Sequence, residues 1–392
     1  MRIFFSIITL FFTIIIFSGC GGGSSSQSSN SPSPSPSPAP SPSPSPSPSV
    51  SWHTPVQVGP ANADFGSISY TVSGSALVSY SVLNGSNAVP RYDLYTAFQT
   101  SGTTFATPVL VSLGTSQTNK GGGIYASFYH VDANTIWLAS ESNYNLNIFK
   151  STNGGASWSL NNFYGISDRD PSFNHSKWYN EGSGNLSLLF GYEYFNPVTN
   201  SASLISFANL TGGVWDASLT QSNLVKDPVG VIKNGSNWLV PEGGVASTTD
   251  NGSTFSHNWG GGGENFYQIG STVYALGASG VQATSDFGAT WTTVNSTDNF
   301  YHAKFIGVSG LIVAVKGNES DHLTFRLSTD NGVTWSTAAD IGNVLAAGYQ
   351  YSNVDLALSP SGKIGLVYSI QSYSNTFGPG ANGQGVFFTE LY

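Results

Sequence analysis

The sequence predicts an all-β fold, a seven-bladed β-propeller, and three observations carry that expectation. An octet of the form Ser/Thr-x-Asp-x-Gly-x-x-Trp/Phe recurs as STNGGASW (Ser151–Trp158), TTDNGSTF (Thr248–Phe255), TSDFGATW (Thr284–Trp291) and STDNGVTW (Ser328–Trp335). Between octets, short runs such as NWLVPEG, TVYALGA, GLIVAVKG and KIGLVYSI read as strands bounded by turn residues, and no stretch sustains helical periodicity. The two ends of the repeat region, finally, carry complementary pieces of one further unit.

The N-terminus reads as an address. MRIFFSIITLFFTIIIFSGC has one Arg, an apolar run too short for a spanning helix, and small residues at its end. It resembles a bacterial lipoprotein signal whose lipobox is Phe17-Ser18-Gly19-Cys20, with Phe17 where Leu is usual. The resemblance implies cleavage after residue 19 and a lipidated Cys20 as first mature residue. Cys20 is the only Cys, so no disulfide can form within the chain. Residues 20–50 then form a tether. GGGSSSQSSN is flexible, and the SPSPSPSP run lacks a backbone donor at every second position, so it stays extended. Residues 51–392 hold the propeller.

Each fixed place in the octet has a mechanical reason. Gly at the fifth place supplies a left-handed backbone angle. The acid or amide at the third place, Asn153, Asp250, Asp286 or Asp330, accepts backbone N–H bonds across the turn. The closing aromatic opens the next strand and packs into the core. The octet resembles the Asp-box (BNR repeat) of sialidase-like β-propellers, which implies a structural hairpin lying away from the functional face.

Two eroded copies, FQTSGTTF (Phe98–Phe105) and ANLTGGVW (Ala208–Trp215), extend the series. The glycines at 102, 155, 212, 252, 288 and 332 then stand 53, 57, 40, 36 and 44 residues apart, which suits four-stranded blades. The seventh blade is split. SWHTPVQV (Ser51–Val58) matches TFATPVLV (Thr104–Val111), and GVFFTELY at the C-terminus stops where an octet would begin. Residues 354–392 therefore supply three strands and Trp52–Val58 the fourth, leaving no open seam. A six-bladed ring is the alternative count.

Composition narrows the partners. Only 8% of residues are charged and the net charge is −9, so nucleic acid and anionic membrane surfaces are disfavoured. The membrane is reached through the lipid anchor alone, and a monomer is expected. The histidines are scattered without a metal-binding spacing, so neither metal nor cofactor is expected. On the face opposite the octets, the loops between blades hold Asp64, Asp170, Asp227, Glu264, Asp298 and Asp355. The loops between second and third strands hold Glu141, Glu193, Glu242, Glu319 and Asp321. Together they predict an acidic rim, which could be solvated loop charge, a cation site or a carboxylate pair for glycoside hydrolysis.

The local candidate for chemistry is ISDRDPSFNHSKWYNEGSG, in blade three. It sets Arg169 beside Asp170, with Tyr192, Glu193 and Tyr194 at the end of the next strand. Charge and flat aromatic faces are what a sugar site needs, although Asp-Pro also starts simple turns, and Lys226-Asp227-Pro228 repeats the pattern. Trp259, ahead of four glycines and Glu264, could stack on a sugar or pack over a blade junction.

Sialidases, whose Asp-box propellers the octets resemble, grip substrate with an arginine triad whose first member lies in Arg-Ile-Pro. That motif is absent, and after residue 20 only Arg91, Arg169 and Arg326 remain. The expected protein is a surface-anchored, extracytoplasmic envelope lipoprotein whose propeller binds polysaccharide or a surface protein. The alternative is a glycoside hydrolase using Asp170, Glu193 and Glu242, with Arg169, Tyr192, Tyr194, Asp227, Trp259 and Glu264 in contact with the sugar.

Overall fold

A computed structural model describes residues 50–86, 89–113, 126–142, 145–165, 170–194, 202–216, 220–221, 231–241, 245–258, 265–300, 303–317, 321–342, 344–372 and 384–391. The chain divides into two units, Met1–Pro46 and Ser47–Tyr392, and every described residue belongs to the second. Cys20 and the tether as far as Ser49 lie outside the described residues.

The second unit is seven antiparallel sheets, as the repeat spacing predicted. The chain enters through β1 (Val56–Gln57). Blade one is β2 (Ala63–Tyr70), β3 (Ala76–Ser86), β4 (Val89–Ser101), β5 (Thr104–Phe105) and β6 (Val109–Ser112). Blade two is β7 (Ala126–His130), β8 (Ile136–Ser142), β9 (Asn145–Ser151) and β10 (Ser159–Gly165). Blade three is β11 (Asp170–Gly182), β12 (Asn185–Tyr194), β13 (Ala202–Thr211), β14 (Val214–Trp215) and β15 (Thr220–Gln221). Blade four is β16 (Ile232–Asn234), β17 (Asn237–Pro241), β18 (Val245–Thr248) and β19 (Ser256–Asn258). Blade five is β20 (Asn265–Ile269), β21 (Thr272–Gly277), β22 (Gly280–Thr284) and β23 (Thr292–Asn295). Blade six is β24 (Lys304–Val308), β25 (Leu311–Lys316), β26 (Thr324–Ser328) and β27 (Ala339–Asp340). Blade seven is β28 (Tyr349–Leu358), β29 (Ile364–Ser372) and β30 (Gly385–Leu391).

Each octet joins the third strand of a blade to the fourth, and the turn satisfies itself. In blade five, Thr284 Oγ1 donates to Asp286 Oδ1 at 2.8 Å and accepts from Gly288 N at 2.9 Å. Asp286 also accepts from Thr290 N at 2.8 Å and from Thr290 Oγ1 at 2.6 Å. The same four contacts recur around Asp250 and Asp330, and around Asn153 with its amide donating to Ser157. The hydroxyls at the first and seventh places thus share the work assigned to the acid. Gly288 sits at φ 89°, and a Cβ there would also lie 2.5 Å from Leu239 Cδ2. Both facts demand glycine.

Closing aromatics fill the blade junctions. Trp291 lies against Phe266 at 5.6 Å, Trp335 against Phe300 at 4.5 Å and Trp215 against Trp137 at 5.4 Å. Burial is divided among seven clusters, most of which mix residues of adjacent blades. The ring closes as expected. Val56 pairs with Phe388 and Gln57 with Phe387, Trp52 bridges Leu391, and Trp52 meets Phe325 of blade six edge-on at 5.9 Å.

Candidate functional site

The innermost strands β2, β7, β11, β16, β20, β24 and β28 each present one hydrogen-bonding edge to the centre of the ring. Unpaired backbone groups there need partners. Between blades seven and one the partners are side chains. Asp355 Oδ2 accepts from Ile68 N at 2.9 Å across the blade boundary, and Oδ1 accepts from Leu356 N at 3.0 Å. Asp64 Oδ1 accepts from Phe65 N and from Asn353 Nδ2, both at 2.7 Å, and the Gln371 amide donates to Oδ2.

This knot sits on matching irregularities. The β2–β3 register slips between Asp64 and Ser67, and the β28–β29 register between Ser352 and Asp355. Each extra residue lets the strand turn a side chain toward its neighbour blade. Phe65 at φ 55° and Asn353 at φ 50° occupy the left-handed region within these bulges. Such angles are costly for a phenylalanine, and here the ring is held edge-on against Tyr92 at 6.1 Å.

Electrostatics follow from burial. Desolvation raises the pKa of Asp64, while its hydrogen bonds from Phe65 N, Asn353 and Gln371 pull the other way. Desolvation also raises Asp355, opposed by the Ile68 N–H and by Lys304. Lys304, first residue of β24, is lowered by burial and raised by Asp355. In blade three, burial alone brings Lys177 down to about 8. Lys177, Lys304 and Asp355 are half-buried as whole residues but their charged ends are desolvated, whereas Asp64 is buried throughout. Asp64 is a brace between blades, not a contact for ligand.

Ser69 Oγ lies 2.8 Å from His130 Nε2, a distance at which a nucleophile meets a base. Burial holds the imidazole down to about 4, and Nδ1 is buried without a partner. Among the described residues no acid orients this ring, so no catalytic triad is assembled.

The rim expected from sequence is therefore thinner. Asp64 and Asp355 lie inside β2 and β28 instead of on loops. Asp298 is spent on Arg326, at 2.5 Å, and that guanidinium also donates to Ser336 O at 2.8 Å. Asp321 remains exposed, 4.0 Å from His322. In blade three the ladder sets Asp170 opposite Glu193 and Pro171 opposite Tyr192, with Tyr194 opposite Ala202. Arg169, Asp227, Glu242, Trp259 and Glu264 lie outside the described residues. Sequence reading passed over Lys177, Lys304 and His130. Their signal was weak but present: single basic residues inside the strand text HSKWY, HAKFIGV and SFYH. Among the described residues, no group of three or more His, Cys, Asp or Glu could hold a metal ion.

No family model and no curated protein matches this sequence. Several solved structures are similar to it in shape. A protein of unknown function from Dyadobacter fermentans is 12% identical, with a TM-score of 0.48 over 88% of this chain and 99% of that one. An α-L-arabinanase of Penicillium chrysogenum, complexed with arabinobiose, is 12% identical, with a TM-score of 0.48 over 87% and 98%. The Aleuria aurantia lectin is 11% identical, with a TM-score of 0.43 over 84% and 96%. No residue role passes from them to this chain.

Proposed function

We propose that the chain is an envelope lipoprotein, anchored through Cys20 and the Ser/Pro tether, whose propeller binds polysaccharide on the face opposite the octets. One observation carries the reading: the ladder pairs Asp170 with Glu193 and Pro171 with Tyr192, at the end of β11 and β12 remote from the blade's octet. Facing positions in an antiparallel pair have Cβ atoms about 5 Å apart. Asp170 and Glu193 therefore share one face at this end of the ladder and are the proposed acceptors for hydroxyl groups, while Tyr192, one rung away, takes the other face. Arg169, Tyr194, Asp227, Trp259 and Glu264 complete the proposed contact set.

The same pairing supports hydrolysis as a second reading, with Glu242 as a further acid. A retaining glycosidase needs two carboxyl groups about 5–5.5 Å apart, an inverting one about 6.5–9.5 Å. Asp170→Asn separates the two. The amide keeps size and much of the hydrogen bonding but cannot titrate. A binding protein keeps most of its affinity for a retained polysaccharide, whereas a hydrolase loses turnover by orders of magnitude while still holding substrate. The assay is a polysaccharide panel scored for retention and for release of reducing ends. No retention and no release by the wild-type chain transfers the reading to a protein ligand.

A further inference from the structure

The outer strand of blade two differs from its counterparts. β10 runs for 7 residues, whereas β1, β15 and β27 have 2, β19 has 3, and β6 and β23 have 4. Short strands are the usual way to blunt a sheet edge, and so are charges and proline. Ser-Leu-Asn-Asn-Phe-Tyr-Gly uses none of the three. Among the described residues one bulge, between Leu160 and Asn162, is its only protection.

That bulge decides the chemistry of the edge. Leu160 stands opposite Phe149 and Phe163 opposite Asn147, and these two β9 residues share a face. Leu160 and Phe163 therefore share it too, although they are three apart in sequence. They are 54% and 63% exposed. The strand is held firmly from its other side, since Trp215 Nε1 donates to Asn161 Oδ1 at 3.0 Å and Tyr164 Oη to Asp216 O at 2.9 Å. A long, fixed, uncharged edge with two apolar side chains on one face is a template for another strand.

We infer that β10 is a self-association site, where a second copy of this chain adds its own β10 antiparallel across a two-fold axis. Such a contact is isologous, so one strand serves both copies. With Asn162 on the axis and Asn161 as the extra bulge residue, Leu160 of each copy stands opposite Phe163 of the other, twice over. Each chain carries a net charge of −9, yet β10 contributes none of it, so the paired strands set no like charges opposite each other. Two blades then join into one continuous sheet, and the monomer expected from sequence gives way to a concentration-dependent dimer.

Two measurements on the purified full chain test this. Sedimentation across about a hundredfold range of concentration should show the mass rising from one copy to two. Leu160→Lys with Phe163→Lys should weaken association about tenfold or more, while the melting temperature measured at dilutions where both chains are monomeric stays put, both side chains being exposed. Asn162→Cys should give a disulfide-linked dimer under mild oxidation that the wild-type chain does not give, because facing residues at a two-fold axis lie within disulfide reach. A mass of one copy at every concentration overturns the inference. So does a dimer that Asn162→Cys fails to trap, or one that the double lysine variant leaves intact.

Discussion

His130 shows how one side chain inside a blade junction sets a pH limit. Its folded pKa is about 4 against an ordinary 6.5, because burial penalises the imidazolium. A lowered base favours the folded state above 6.5, and that advantage is lost as pH falls from 6.5 to 4. The loss is on the order of 3 kcal/mol. Denaturant titrations of wild type and His130→Gln should show a stability gap at pH 7 that narrows through this window; a constant gap would mean the ring is not desolvated. Asp64 and Asp355 act with the opposite sign. Raised carboxylates contribute most below the ordinary 3.8 and lose that contribution as pH rises through their folded values. Asp250 and Asp286, held down to about 2 chiefly by their threonine hydroxyls, stabilise above 3.8 and lose this toward pH 2. Glycines divide just as sharply. Gly310→Ala meets open space at φ 83° and should cost about 1–2 kcal/mol for the left-handed angle alone. Gly288→Ala adds the contact with Leu239, so thermal melts should show a loss of about 3 kcal/mol.

At the scale of elements, the short segment around β1 carries more than its length suggests. Val56 and Gln57 pair with β30, Val58 N donates to Val386 O at 2.8 Å, and His53 N donates to Glu390 O at 2.9 Å. Trp52 joins the core cluster of blades six and seven. Trp52→Ala should therefore cost about 2–3 kcal/mol, as truncation of a half-buried aromatic in a core does. Deleting Ser51–Val58 should lower the melting temperature of the full chain far more than a tail trim would. An unchanged melt would remove this segment from blade seven. The elements themselves were legible in the sequence wherever the pattern was local. Thr284, Asp286, Gly288 and Thr290 bond within six residues of one another, so the octet announces its own turn. Bulges were not legible. Nothing in ADFGSISY shows that Phe65 takes a left-handed angle, because the slip is fixed by the packing of β2 on β28.

For the whole molecule, the proposed anchoring and the proposed recognition make separate demands and separate tests. Changing Cys20 to Ala should stop fatty-acid labelling in a bacterial host and release the chain from the membrane fraction, leaving polysaccharide retention unchanged. Trp259→Ala should reduce that retention tenfold or more, the usual result of removing an aromatic platform worth about 2 kcal/mol. Retention lost in the first variant and kept in the second would reverse both assignments. The sequence by itself determined the self-satisfied turns and the split seventh blade and favoured seven blades over six, since each rests on neighbours in the chain or on a repeated spacing. Only the tertiary structure decided which acids remain available. Asp64 and Asn353 are 289 residues apart, yet their side chains bond at 2.7 Å. Desolvation depends on atoms brought in by the next blade, and a linear text does not record which blade closes over which carboxylate.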